Sequence, residues 1–276
     1  AIDKPENHLY AVYPRVPDAA APGTQQALQI KVKDGGQNNW DDLGNLAAGS
    51  WPSLSINQET NQWMLAYHRF DGSDLYAANG NKNSQTGVGP LDQTGDVGSY
   101  VSNAICTMQM PNCGAQAGHD YRQISYYDET NGDLKRAWYT SGGWTYQTID
   151  SQGDVGKWTS MALDSQGTIH ISYYDISNGD LKYATSTSGN AGSWQISTID
   201  SVGAVGMYSS IAIDSNDNVH ISYSHRNDTG GWPYNSLKYA KLEGGSWEIS
   251  TLDEGDVGDN GNTGMFTSIA IDSKDN

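Results

Sequence analysis

The chain of 276 residues sets 32 acidic against 15 basic side chains, a formal net charge of −17. Such a surface repels phosphate backbones and anionic membranes, which excludes nucleic acid as an expected partner and disfavours acidic polysaccharides unless a cation bridges them. No apolar run reaches the ~18 residues a bilayer span requires, so no membrane span is expected; a chain that opens on Ala1, with neither methionine nor a visible signal peptide, is expected to be processed and either secreted or held at the cell surface.

Read from the N-terminus, short segments with the period-two alternation of β-strands follow one another, separated by Gly, Asn, Asp and Ser turn chemistry. The chain opens on strand patterns around Tyr13, Leu28 and Trp40. A new series starts near Ser53 and runs through Tyr67 and Leu75 to a degenerate segment at 87–91, and the next runs from Ser102 through Tyr126 and Leu134 to Trp144. The best-preserved series predicts strands over Ser160–Asp164, Thr168–Tyr174, Asp180–Thr185 and Ser193–Ile199. Its successor repeats the order from Ser210 through Tyr223 and Leu237 to Trp247, and a last first-strand pattern, Ser268–Asp272, follows near the C-terminus. Residues 149–184 are echoed by 199–240, a period of roughly 50 residues that marks a repeat architecture.

Each repeat is therefore expected to be a four-stranded antiparallel meander, and meanders that cannot bury both faces alone do so by packing radially. The first strands agree, with Ser and Ala on one face and large aliphatics on the other in Ser160–Leu163, Ser210–Ile213 and Ser268–Ile271. The expected fold class is all-β, a five-bladed β-propeller forming one domain over residues 1–276. Its blades are expected at about 1–44 plus 264–276, 45–93, 94–150, 151–200 and 201–253, the C-terminal strand completing the N-terminal blade. Ala1–Asn7 duplicates Ala270–Asn276 and competes for that closing position, for which Ser268–Asp272 has the fuller strand pattern.

The candidate site residues follow from the repeat and from its breaks. The aromatics Trp51, Tyr100, Trp158, Tyr208 and Phe266 each stand two positions before a serine, where the chain turns inward; they offer flat stacking surfaces for sugar rings, or else plain packing between blades. Asp96, Asp154 and Asp256 belong to Gly-Asp-Val-Gly loops expected on the same face, where a carboxylate caps its own loop or meets a ligand. Where sister repeats read Tyr127-Asp128 and Tyr174-Asp175, others read His68-Arg69 and Ser224-His225-Arg226. His68, Arg69, Asp128, Asp175, His225 and Arg226 are thus the candidates for a lyase or glycosidase site, with drift in an exposed loop as the alternative. Asp214, Asn216 and Asn218 place oxygens at alternate positions as calcium loops do, without the glycine and distal glutamate of a complete one; calcium is the only cofactor considered. Cys106 and Cys113, seven positions apart in an insertion that the other repeats lack, are expected to form a disulfide.

The unit Asp-Val-Gly-x-x-x-Ser-Ile-Ala-Ile-Asp-Ser, followed by His-Ile-Ser-Tyr and Asn-Gly-Asp-Leu-Lys-Tyr-Ala, resembles the repeats of secreted bacterial propellers grouped with neuraminidase-type repeat proteins, over about Trp51–Asn276. The resemblance implies architecture rather than sialidase activity, because the Ser-x-Asp-x-Gly-x-Thr-Trp box is absent and Asp164–Gly167 only approaches it. Five-bladed lectins of the tachylectin type are similar in blade count. The leading expectation is an extracellular, carbohydrate-binding, lectin-like propeller without catalysis, since repeated weak sites gain avidity together. A polysaccharide-degrading lyase or glycoside hydrolase with one asymmetric site is the first alternative, and a structural or assembly subunit the second.

Overall fold

The structure, a computed structural model, describes residues 8–14, 27–34, 39, 41–57, 59–107, 110–113, 121–140, 142–186, 193–227, 234–255, 263–272 and 274–275. These residues are almost entirely β-strand, with one short 3-10 turn at Pro111–Cys113. A six-stranded antiparallel sheet holds β1 (His8–Pro14), β2 (Ala27–Asp34), β3 (Asp41–Asn57), β4 (Gln62–Arg69), β5 (Asp74–Asn81) and β6 (Ser84–Asp92) in chain order. Three four-stranded sheets follow, also in chain order: β7 (Val97–Cys106), β8 (Tyr121–Asp128), β9 (Asp133–Thr140) and β10 (Gly143–Asp150); β11 (Val155–Leu163), β12 (Ile169–Asp175), β13 (Asp180–Ser186) and β14 (Gln195–Asp200); β15 (Ala204–Ile213), β16 (Val219–Asn227), β17 (Tyr234–Glu243) and β18 (Ser246–Asp253).

The six-stranded sheet is two repeats sharing one long strand. The N-terminal half of β3 pairs with β2 and its C-terminal half, from Gly49, pairs with β4. The chain divides into two compact units: Ala1–Met108, Ala115–Thr130 and Arg136–Gln147 form one, and Gln109–Gly114, Asn131–Lys135 and Thr148–Asn276 the other.

Burial grades across each meander. In β12 every residue is buried, because a second strand has neighbours on both faces, whereas the fourth strands β14 and β18 are mostly exposed. The third-strand leucines Leu28, Leu75, Leu134 and Leu181 are fully buried. The first strands begin earlier than the serine pattern indicates: β11 starts at Val155 and β15 at Ala204, inside the glycine loops.

The serines of the repeat have a specific task. Ser53 Oγ accepts the Asn103 amide at 3.0 Å within the first unit, and in the second Ser160 Oγ accepts the Ile211 amide and Ser210 Oγ the Ile269 amide, both at 3.2 Å. Successive first strands are thereby tied by a hydroxyl, which a larger side chain would hold apart. Residues 263–272 take the place of a next first strand beside β15, yet form no β-ladder among the described residues. The segment expected to supply the closing strand is thus docked beside β15 without a ladder of its own among the described residues, and Ala1–Asn7, its competitor, lies outside the described residues.

Candidate functional site

In each first strand the ladder skips between the glycine loop and the serine: the register shifts between Ser50 and Ser53, Ser99 and Ser102, Lys157 and Ser160, and Met207 and Ser210. A bulge of this kind re-aims a side chain. The residue it re-aims is the aromatic, and all of them have left-handed backbone: φ is 48° at Trp51, 52° at Tyr100, 51° at Trp158, 56° at Tyr208 and 55° at Phe266. That conformation costs about 1–2 kcal/mol for a residue with a Cβ, so the same penalty recurs in repeat after repeat at one place.

The rings form rows. In the first unit Trp51 and Tyr100 have centroids 4.8 Å apart; in the second Trp158 lies 4.8 Å from Tyr208 and Tyr208 lies 4.5 Å from Phe266, tilted by about 50° at each step. Each row is flanked by the residue after the second-strand tyrosine, with His68 5.7 Å from Trp51, Tyr127 6.2 Å from Tyr100 and Tyr174 5.4 Å from Trp158. Trp51 is 40 % and Phe266 76 % exposed, while Tyr100, Trp158 and Tyr208 are half-buried. Rings tilted in this way pack on one another and still leave faces and edges to solvent.

The glycine loops build the floor. The second glycine of each loop has positive φ, and a Cβ there would stand 2.8 Å from Leu75 Cα at Gly98, 2.9 Å from Leu134 Cα at Gly156 and 2.7 Å from Leu181 Cα at Gly206. Near the C-terminus this part is played by Gly264, whose Cβ would meet Leu237 Cα at 3.0 Å. Gly255–Gly258, assigned from the sequence, therefore precedes an insertion, and Asp256 lies outside the described residues. Asp96 and Asp154 cross-tie their loops by backbone, Asp96 N donating to Thr130 Oγ1 at 2.7 Å and Asp154 N to Ser177 Oγ at 2.8 Å.

The positions that break the repeat have their own partners within each unit. His68 is buried, with Nε2 3.1 Å from Asp96 Oδ1 and Nδ1 3.3 Å from Ser50 Oγ, so one imidazole joins a loop carboxylate to a hydroxyl beside Trp51. Arg69 donates to the Tyr76 hydroxyl at 2.7 Å, lies over that ring at 4.8 Å and pairs with Asp71. His225 packs over Gly203, and burial pushes its pKa down; Arg226 is exposed. Asp128 is buried and opposite Val97 in the β7–β8 ladder. Asp175 caps its own turn by accepting from the Asn178 amide at 3.0 Å and from Asn178 Nδ2 at 2.9 Å.

The proposed calcium ligands are a hairpin cap. Asp214 accepts from the amides of Asn216 and Asn218, from Asn218 Nδ2 at 2.8 Å and from His220 Nε2 at 3.2 Å. Among the described residues no three His, Cys, Asp or Glu side chains gather as an ion site. Burial alone would raise the Asp214 pKa, but the bonds from Asn218, His220 and Asn216 outweigh it and hold the carboxyl at about 2. A folded pKa below the unfolded ~3.9 gives stability that is complete above the unfolded value and is lost as pH falls through the folded one. Thermal unfolding followed from pH 5 to pH 2 should therefore show a loss between about pH 4 and pH 2 that shrinks in Asp214→Ala.

A set of buried ion clusters was not visible as a site in the sequence. Tyr173 and Lys182 both bond Asp150 Oδ2, at 2.8 and 2.5 Å; Tyr223 and Lys238 bond Asp200 in the same way; and Tyr126 donates to Asp92 at 2.7 Å. The signal was an aspartate eight positions before each of Tyr100, Trp158 and Tyr208.

No protein-family model matches the chain. No curated protein matches it either. Solved structures do. A protein of unknown function from Dyadobacter fermentans DSM 18053 aligns with a TM-score of 0.56 at 13% identity, over 92% of this chain and 82% of that one. Kuenenia stuttgartiensis hydrazine synthase aligns at 0.53 and 8% identity, over 92% and 69%. The Hadza microbial sialidase Hz136 aligns at 0.50 and 12% identity, over 92% and 58%. At such identities the likeness is one of fold: an all-β chain of repeated antiparallel sheets.

Cys106 is fully buried at the end of β7 and is not a free thiol; the side chain of Cys113 lies outside the described residues.

Proposed function

We propose that the chain is an exported, non-catalytic five-bladed β-propeller whose aromatic rows bind neutral carbohydrate. The observation that carries this reading is the left-handed backbone kept at Trp51, Tyr100, Trp158, Tyr208 and Phe266, where glycine would be cheaper and an aromatic ring stands every time. Strain that recurs at one place, beside partly exposed rings, belongs to a ligand surface more readily than to a scaffold. Sugar rings have apolar C–H faces that stack on aromatic planes, and the net charge of −17 favours neutral over acidic glycans. An array of neutral and acidic oligosaccharides tests it: saturable binding confined to neutral glycans is expected, and no binding to any glycan overturns it.

The ring closure belongs to the same proposal. The support is that residues 263–275 reproduce the contacts of a first strand: Thr267 Oγ1 donates to Tyr208 O at 2.7 Å as Ser209 Oγ does to Trp158 O at 2.9 Å, and Asp275 accepts the Ser215 amide at 2.9 Å as Asp217 accepts that of Ser165 at 2.8 Å. Deletion of residues 263–276 is expected to lower the thermal midpoint of the chain, and an unchanged midpoint would rule closure out.

The Cys106–Cys113 bridge is likewise proposed, supported by the absence of a free thiol at Cys106. Alkylation before and after reduction, read by intact mass, should label no cysteine in the untreated chain and both after reduction.

A further inference from the structure

Where first-unit residues replace the packing pair of the repeat, a cavity opens that the aromatic rows do not share. In the second unit Trp247 on β18 meets Tyr183 on β13 edge to face at 5.2 Å, and the Tyr183 hydroxyl is 2.5 Å from His170 Nδ1. Tyr, Trp and His together fill that space. The third-strand position of Tyr183, two residues after the buried leucine, reads Ile30, Ala77, Arg136, Tyr183 and Tyr239 along the chain, so Ala77 is the smallest of the set. The position of His170, three before the second-strand tyrosine, is Met64.

What Tyr and His vacate is a cavity of about 240 Å³ in which Trp144 lies beside Ala77 and Met64, with Arg122 and Asn79 also on its lining. Gly89 lines it too, and a Cβ added there would have nothing within 4 Å. The Trp144 ring is braced from another side: it meets Tyr139 edge to face at 5.4 Å, and the Arg122 guanidinium lies 5.6 Å from the Tyr139 ring centre. Among the described residues the lining therefore combines a braced aromatic plane, small apolar residues, one guanidinium and one amide, with no carboxylate.

We propose that this cavity binds one neutral pyranose ring, as a free sugar or as the end of a glycan, with an apolar face of the ring on Trp144 and hydroxyls at Arg122 and Asn79. Its volume lies below the ~300–1,000 Å³ usual for drug-sized ligands, which fits a single ring and not an oligomer. Flat C–H faces edged by hydroxyls match an aromatic plane edged by donors and an amide carbonyl. A carboxylated sugar would find Arg122 but would approach a chain of net charge −17. The inference uses none of the left-handed aromatics and stands or falls apart from them.

The test is saturation-transfer NMR and calorimetry on the whole chain with methyl glycosides of neutral hexoses, with glucuronate and benzoate alongside. Wild type is expected to bind at least one neutral glycoside more tightly than either acid. Met64→His with Ala77→Tyr rebuilds the pair that already folds in the second unit, and should weaken binding at least tenfold while raising the thermal midpoint. Gly89→Leu, made at a glycine without positive φ, should also weaken binding tenfold and serves if the double variant misfolds. Binding unchanged in either folded variant, binding of the acids alone, or no binding by wild type would each overturn the proposal.

Discussion

Lys182→Met is expected to destabilise the protein by about 3–5 kcal/mol, the usual consequence of leaving a buried charge without its partner. Lys182 Nζ is 2.5 Å from Asp150 Oδ2 and 3.9 Å from Asp175 Oδ2, and both members of the closer pair are buried. Without the ammonium, Asp150 keeps the Tyr173 hydroxyl and the Gln152 amide, which cannot offset a desolvated negative charge. Burial drives the Asp150 pKa up, and Lys182, Gln152 and Tyr173 more than reverse it; removal of the largest opposing group should return the carboxyl toward protonation. The first unit shows how the same position is built without an aspartate–lysine pair, with Arg69 donating to the Tyr76 hydroxyl instead. Tyr76 faces Tyr67 in the β4–β5 ladder as Lys182 faces Tyr173 in β12–β13, and Leu43 stands eight positions before Trp51 as Asp150 stands eight before Trp158. Among the described residues the Tyr67 hydroxyl there has no hydrogen-bond partner, and burial raises its pKa to about 12. The triple change Asp150→Leu, Tyr173→Phe and Lys182→Tyr is accordingly expected to recover most of the loss. Denaturant midpoints at unchanged slope measure both effects, and a cost below about 1 kcal/mol for Lys182→Met would mean that Asp150 is solvated.

Strand order, the meander and the repeat were legible because period two and glycine turns are local properties. The Ser160, Ser210 and Ser53 hydroxyls fulfil the expectation of small groups where strands approach, although the bond to the next strand's amide, unlike the size, could not be read from the sequence. Gly264 was missed because Gly255–Gly258 spells the motif; the spacing of two residues from glycine to aromatic, constant at Gly98, Gly156 and Gly206, was the better guide. Asp150, Asp200 and Asp92 carry no local mark of their role, since nothing local distinguishes a carboxylate that caps a turn from one that meets a lysine 32 residues away. Asp214 is the reverse case, a carboxylate whose spacing also suits a calcium loop and whose oxygens are taken by its own turn. Left-handed aromatics were not foreseeable, because sequence propensity runs against them; only the bulge, a property of paired strands, makes the position visible.

That conflict gives the second large effect. At Tyr208, φ is 56° and the ring lies 4.8 Å from Trp158 and 4.5 Å from Phe266. Alanine would keep the strain and lose both ring contacts, worth about 0.5–1.5 kcal/mol each. Glycine would lose the same contacts but release about 1–2 kcal/mol of backbone strain. Tyr208→Gly is therefore expected to be more stable than Tyr208→Ala by that margin and close to wild type, while both bind the neutral glycan selected on the array at least tenfold more weakly. If the ring served packing alone, both variants would be destabilised and glycan affinity would not move. A protein whose stability is nearly indifferent to the change from tyrosine to glycine, but whose ligand affinity is not, retains the aromatic for the ligand.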